Sequence, residues 1–245
     1  MMTILRTVAR TVFGKLLPRI AYPIMRGPLS GARFILGALE GEGGGATVYF
    51  NMMEPEQAEA MAATLKKGDV FFDIGANVGF YTLLGSRQVG REGKVVAFEP
   101  VVRNLAYLYR HLSLNGAGNV TVIPAACSDS LSLVFFASGE NFAMGHIAGD
   151  PQPGEHGQLV PTMSVDDVAR KLGLVPDVIK IDVEGAELAV LEGAQETLRA
   201  ARPKIFLSTH SDALRESCLA YLGELGYSCR VLDPEGANPS TFLAH

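Results

Sequence analysis

Val70-Phe71-Phe72-Asp73-Ile74-Gly75-Ala76-Asn77-Val78-Gly79 runs from apolar residues into an acid and on through a turn of small residues. Phe80-Tyr81-Thr82-Leu83-Leu84-Gly85 follows with helical character. A short buried-type strand, a glycine turn and a helix is how a nucleotide-type α/β domain opens. Gly75 and Gly79 let the backbone turn tightly and approach a ligand, and N–H groups at the helix start are expected to face that ligand. Two more runs end in acids: Val95-Val96-Ala97-Phe98-Glu99-Pro100, and Val178-Ile179-Lys180-Ile181-Asp182-Val183-Glu184-Gly185-Ala186-Glu187. Acidic strand ends gathered on one sheet edge make a site.

Around that frame the composition is ordinary for one α/β domain: 245 residues, 48% hydrophobic, enough for a real core. The net charge of −5 gives no reason to expect a nucleic-acid partner. The charge is unevenly spread. Residues 1–39 hold six basic side chains and no acid, so the remaining 15 basic residues stand against all 26 acids, a net of −11. Cys127, Cys218 and Cys229 form no CxxC pair, which argues for a reducing compartment and against a zinc site. Cys127 and Cys229 sit in strand-like runs and are expected to pack in the core. No apolar run is long enough to span a membrane, and Arg6, Arg10 and Lys15 interrupt any signal-peptide core. The expected location is cytoplasmic, with a peripheral place at the inner membrane face open to it.

Residues 1–67 are expected as an N-terminal helical and small-strand extension, and 68–245 as the main domain. Residues 4–20 read as a cationic helix, either an arm for an anionic membrane surface or a helix packed on the domain or on a second subunit in a homodimer. Runs at 32–36 and 47–50 read as small strands, and Glu54-Pro55-Glu56 opens a helix. From Gly68 strands and helices alternate, the mark of a parallel sheet. Residues 131–137 read as an extra strand and 138–161 as a long loop. Ser164 caps a short helix, one helix is expected over 186–200, and 228–232 with 241–243 would close the fold as an antiparallel pair.

Asp73-Ile74-Gly75-Ala76-Asn77-Val78-Gly79, Phe98-Glu99-Pro100 and the Lys180-Ile181-Asp182-Val183-Glu184-Gly185 block together resemble the FkbM family of S-adenosylmethionine-dependent O-methyltransferases, over about residues 68–210. The resemblance implies a Rossmann-like class I methyltransferase: a mostly parallel seven-stranded sheet, helices on both faces and a reversed last strand. It implies S-adenosylmethionine as cofactor. Asn77 replaces the middle glycine of the general class I loop and matches the narrower family. On this reading Asp73 touches or supports the methionine end of the cofactor, with Gly75, Asn77, Gly79 and Thr82 forming the loop. Glu99, some twenty residues past Gly79, suits a ribose clamp. Asp129 is placed to accept from the adenine amino group, with Ser128 and Ala126 along the base; an Asx-type turn is its competing role.

Methyl transfer to a hydroxyl needs the reactants positioned and the acceptor proton removed. Strand alternation sets Lys180, Asp182 and Glu184 on one face if the strand stays extended. His210 or Asp182 is the candidate base, with Glu184 orienting the acceptor. A divalent metal held by Asp182, Glu184 and His210 is the alternative, and helix capping by Glu184 the bland one. His146, in the long loop, is a candidate to reach the acceptor; His111, His156 and His245 carry no signal, and Asn104 and Asn115 read as helix residue and C-cap. The expected acceptor is a small molecule, a sugar or a lipid-linked glycan. Two other functions share part of the pattern. An NAD-dependent oxidoreductase has the same opening, but here the loop is GxxxG rather than GxGxxG and no Tyr-x-x-x-Lys pair occurs. A non-catalytic nucleotide-binding scaffold would keep the fold without the chemistry.

Overall fold

The computed structural model describes residues 18–39, 43–138, 145–148, 157–232 and 240–245. Most of the cationic segment 4–20 lies outside them. The described chain begins with an antiparallel ribbon, β1 (Ala21–Pro23) against β2 (Arg33–Ile35). Residues 47–50, expected as a strand, instead lie in a 3-10 helix, Gly43–Phe50. Val48 and Tyr49 turn inward from it and are buried, and the Tyr49 hydroxyl donates to the Phe34 carbonyl at 2.6 Å, so the aromatic is held by the core rather than by a sheet. Helix α1 (Pro55–Thr64) starts with proline in its first turn, where the missing N–H costs nothing, and buries Ala58 and Met61.

Strand–helix alternation then runs as expected: β3 (Val70–Ile74), α2 (Phe80–Val89), β4 (Lys94–Phe98), α3 (Val102–Asn115) and β5 (Val120–Ile123). The strand expected over 131–137 is present and belongs to a second sheet, which also takes in the described parts of the expected loop 138–161. This sheet's strands are β6 (Ala126–Cys127), β7 (Ser132–Ser138), β8 (Gly145–Ala148) and β9 (Gly157–Met163), in the order β6-β9-β7-β8. Gly157 and Pro161, which suggested a loop, lie in β9 opposite Ala137 and Leu133 of β7. There follow α4 (Val165–Leu172), β10 (Val178–Ile181), α5 (Glu187–Glu192), α6 (Gln195–Ala201), β11 (Lys204–Ser208), α7 (Asp212–Glu224), β12 (Cys229–Val231) and β13 (Thr241–Ala244). The helix expected over 186–200 is thus two. They part at Gly193, where a Cβ would meet the Ser128 carbonyl oxygen at 2.2 Å.

The main sheet has the order β12-β13-β11-β10-β3-β4-β5, with β13 antiparallel to both β11 and β12 and the other pairings parallel. This is the expected α/β class, reversed last strand included. Alternation splits the core. Phe71, Val95, Ala97, Val178 and Phe206 face one cluster, which takes in Ile24, Phe34 and Tyr49 of the N-terminal segment. Phe72, Ile74, Val96, Phe98, Ile179, Ile181, Ile205 and Leu207 face the other. Cys127 joins that second cluster, but Cys229, expected inside, is exposed because β12 is an edge strand.

His111 turns out to tie the N-terminal segment to the sheet. It is fully buried, stacks on Phe34 at 3.9 Å, accepts from the Ile35 N–H at 3.0 Å through Nε2 and donates from Nδ1 to the Val78 carbonyl at 2.7 Å. Burial lowers its pKa from 6.5 to about 4, so it is neutral with its proton on Nδ1. Asn115 does similar work on the other side of β2, bonding both the N–H and the carbonyl of Arg33.

Candidate active site

Strands β3, β4, β10 and β11 are parallel and deliver their carboxyl ends to one edge, and the chain reverses direction across the sheet between β3 and β10. Ligands of open α/β sheets bind at such a switch point. Here the loops after β3, β4 and β10 are knitted together. Gly75 and Ala76 both donate to the Phe98 carbonyl, and Asp182 donates to the Ile74 carbonyl. Gly75 has φ +80°, and a Cβ on it would lie 1.8 Å from the Asp182 carbonyl oxygen, so only glycine fits. Gly79, at φ +93°, similarly makes room for Leu108.

The N–H groups of the loop residues 75–79 turn inward. Besides Gly75 and Ala76, Asn77 donates to Glu99 Oε2 at 2.7 Å, Val78 to the Asn77 side-chain oxygen at 2.8 Å, and Gly79 to the Ala76 carbonyl. Asn77 sits in the left-handed region at φ +50° to make this turn. Glu99, 4% exposed, also accepts from the Val101 N–H at 2.8 Å and from Asn104 at 3.3 Å. It therefore staples two loops, and a carboxylate with about four acceptor sites keeps one on Oε2 for a ligand hydroxyl. Burial outweighs these hydrogen bonds and raises its pKa from 4.5 to about 7.

Asp73 and Thr82 are both fully buried, and the Thr82 hydroxyl donates to Asp73 Oδ2 at 2.6 Å. Between contact and support, this geometry favours support. The side chain they hold in place is Lys180, paired in register with Asp73 across β10 and β3 and only 1% exposed. Its ammonium lies 3.1 Å from Asp182 Oδ2, 3.8 Å from Asp73 Oδ1 and 5.1 Å above the Tyr81 ring. Burial works against the charge, yet Asp182, Asp73 and Glu54 together raise its pKa. Tyr81 in turn donates to Glu54 Oε2 at 2.7 Å. Glu54 stands at the exposed rim; packing around its carboxylate and then the charge of Asp182 raise its pKa. So the N-terminal segment contributes a carboxylate to this edge. Lys180, Tyr81 and Glu54 were not singled out from sequence. Only Lys180 carried a signal there, a charged residue inside a buried-type strand.

Strand β10 ends at Ile181, so Lys180 and Asp182 are not followed on the same face by an extended Glu184. Glu184 instead adopts φ +51°, with Gly185 at +110°. The turn still brings Glu184 to His210, which follows β11: His210 Nε2 is 3.5 Å from both Glu184 Oε2 and Asp182 Oδ1. The other ring nitrogen, Nδ1, meets Glu187 Oε1 at 2.5 Å. Glu187 is fully buried at the start of α5; Oε1 also accepts from the Gly185 N–H, while Oε2 has no hydrogen-bond partner among the described residues. The hydrogen bond to Glu187 raises the His210 pKa against its burial, with Glu184 and Asp182 adding to it. Side-chain exposures of 28% for Asp182, 44% for Glu184 and 30% for His210 leave this trio open to a ligand. Glu187 was visible at the end of the motif but was given no role.

The trio does not suit a metal. Among the described residues no group of three His, Cys, Asp or Glu side chains has the spacing to hold one. The Lys180 ammonium already neutralises Asp182, and Glu187 holds the ring of His210 from behind. Ser128 and Asp129 lie apart from this network. Asp129 is exposed and accepts from the hydroxyls of Ser130, at 2.8 Å, and Ser128, at 3.4 Å, a serine-flanked turn. Ala126 packs with Val160, Val101 and Val134 in a small apolar cluster just past Glu99. The side chain of His146 lies outside the described residues.

A family profile for the methyltransferase FkbM domain matches residues 73–229. No curated protein matches in sequence. In fold the chain is similar to the methyltransferase FkbM from Methylobacillus flagellatus KT, with 18% identity and a TM-score of 0.54. That match covers 99% of this chain and 59% of the other, so this chain spans less than two thirds of its neighbour's length. It is also similar to a ribosomal protein L11 methylase from Lactobacillus delbrueckii subsp. bulgaricus, at 10% identity, TM-score 0.51, and 79% and 78% coverage.

Proposed function

The chain belongs to the methyltransferase FkbM family, and from that premise we propose that it methylates a hydroxyl group, with S-adenosylmethionine as the methyl donor. The observation that carries the hydroxyl assignment is the line Glu187–His210, whose free Nε2 opens beside Asp182 in the crevice between β10 and β11. A buried carboxylate fixing one imidazole nitrogen leaves the other as a proton acceptor, the arrangement of a general base and its orienter.

The edge fits the cofactor. Glu99 keeps an acceptor site at the end of β4, where a ribose hydroxyl would be held, and the surrounding Glu54, Asp182 and Glu184 favour a cationic ligand. The N–H groups of residues 75–79 are turned inward and not available to a pyrophosphate, which counts against a dinucleotide. When bound, the cofactor supplies an electrophilic methyl group on a sulfonium sulfur. The protein's part is to seat the acceptor oxygen and take its proton on His210 Nε2, while Glu187 holds Nδ1–H and Asp182 and Glu184 stabilise the imidazolium. Lys180 holds Asp182 in place through its ion pair. So many carboxylates disfavour an acceptor with an anionic group beside the reacting hydroxyl. A neutral sugar, a small polyol or the glycan of a lipid-linked acceptor suits the site.

Calorimetric titration with S-adenosylhomocysteine, beside NADH, tests the cofactor reading. Micromolar binding of the former alone is expected. A folded protein that binds neither, or binds NADH instead, refutes it.

A further inference from the structure

Besides its sulfonium, the methyl donor carries the ammonium and carboxylate of an amino acid. The sequence pattern offers Asp73 for that end. The structure takes Asp73 out of reach: it is fully buried, with Oδ2 held by the Thr82 hydroxyl and Oδ1 facing the Lys180 ammonium. A carboxylate for the donor's ammonium must come from elsewhere on the same edge. Glu99, after β4, suits the ribose, and His210, after β11, takes the acceptor proton. The order β11-β10-β3-β4 sets two strand ends between them, so the sulfur of a donor that joins the two lies over β10 and β3.

Asp182 and Glu184 are open there, but Asp182 is paired with Lys180 and both lie beside His210 Nε2. Glu54 is the third. Its Oε2 accepts from the Tyr81 hydroxyl, whose ring lies under the Lys180 ammonium, so it stands beside the same strand ends. Its Oε1 accepts no hydrogen bond and forms no ion pair among the described residues. Glu54 is the N-cap of α1, where an acid ordinarily bonds N–H groups of its own helix. Its side chain makes no such bond; at φ +42°, in the left-handed region, it turns to the catalytic edge instead. Gln57, in the first turn of α1, is 3% exposed, and neither atom of its amide has a hydrogen-bond partner among the described residues. Helical side chains lean toward the start of their helix, so this amide leans toward the same edge. The turn holds polar capacity that the chain itself does not use.

We propose that Glu54 binds the ammonium of the donor's amino-acid end through Oε1, with Tyr81 holding Oε2 in place. This rests on S-adenosylmethionine being the methyl donor. A cation placed there lies between Glu54 and Asp182, which otherwise repel one another. The first turn of α1 is then part of the cofactor site, and the segment before the main sheet decides how tightly the amino-acid end is held.

S-adenosylhomocysteine and methylthioadenosine share the nucleoside and the sulfur, and only the first has the amino-acid end. Calorimetric titration of the full chain with each, for wild type, Glu54→Gln and Tyr81→Phe, tests the proposal. Glu54→Gln should bind S-adenosylhomocysteine roughly 10- to 100-fold more weakly, as expected for a lost hydrogen bond between charged groups, and methylthioadenosine as tightly as wild type does. Tyr81→Phe, which keeps the ring beside Lys180, should lose a smaller part of the same affinity. S-adenosylhomocysteine without its amino group should bind wild type and Glu54→Gln alike. Glu54 stands at the rim, so the variant should melt as wild type does. Unchanged affinity of Glu54→Gln for S-adenosylhomocysteine overturns the proposal, and so does an equal loss for both ligands. A folded wild type that binds neither ligand refutes the methyl-donor reading and this proposal together.

Discussion

Replacing Glu99 with Gln should change how stability depends on pH. Folding lifts the Glu99 pKa from 4.5 to about 7, so between those values the folded state binds more protons than the unfolded one. The stabilisation is fully present below pH 4.5 and is lost as pH rises through 7. Between about pH 5 and about pH 8 this one carboxylate should remove about 2.5 kcal/mol. His111 runs the other way. Its pKa falls from 6.5 to about 4, so its stabilisation is present above 6.5 and lost as pH falls through 4. Over the same interval that restores about 2 kcal/mol, which is why the wild-type curve alone would hide Glu99. Chemical denaturation of wild type and Glu99→Gln, at several pH values in one ionic strength, isolates the glutamate in their difference. The wild type should lose about 2.5 kcal/mol relative to the variant on going from acid to mild alkali. In melting experiments on a chain of this size the same difference is about 5–10 °C. A difference that stays constant across pH would refute the claim that Glu99 is buried at the cost of its charge.

Two further outcomes follow from the same edge. Glu187→Gln should lower kcat by about 100-fold or more while leaving S-adenosylhomocysteine affinity within about twofold, because the amide no longer fixes the His210 tautomer; its pH–rate profile should shift to lower pH as His210 loses the partner that raises its pKa. An unchanged profile would make Glu187 merely structural. Gly75→Ala places a methyl carbon on the Asp182 carbonyl at a positive φ, so it should abolish cofactor binding or folding, and near-wild-type titration would contradict the interlocked loops.

The alternation of buried-type strands with amphipathic helices made the main sheet legible, since a parallel strand is apolar on both faces and ends where its acid begins. Asp182, Glu184 and His210 were legible for the same reason: all three stand just past strands whose ends share an edge. What escaped the sequence were partners fixed by tertiary contact. Glu54 reaches the site only because α1 packs on the domain, and Glu187 only because the turn at Glu184 and Gly185 tips α5 toward β11. In the second sheet β7 was legible, and β8 and β9 escaped because Gly145, Gly157 and Pro161 read as loop residues. Asp73 was legible at its strand end but not its depth, because strand position gives the face of a side chain and not what lies above it.

The loop between β3 and α2 has one more consequence, for the speed of exchange. Each N–H from Gly75 to Gly79 is already bonded to its own chain, so the pocket wall has its final shape before any cofactor arrives. Nothing there needs to order on binding or melt on release. Donor and spent product should pass one another as they would at a rigid berth, and the slow step of turnover then falls to the acceptor side, where the side chains remain open to water.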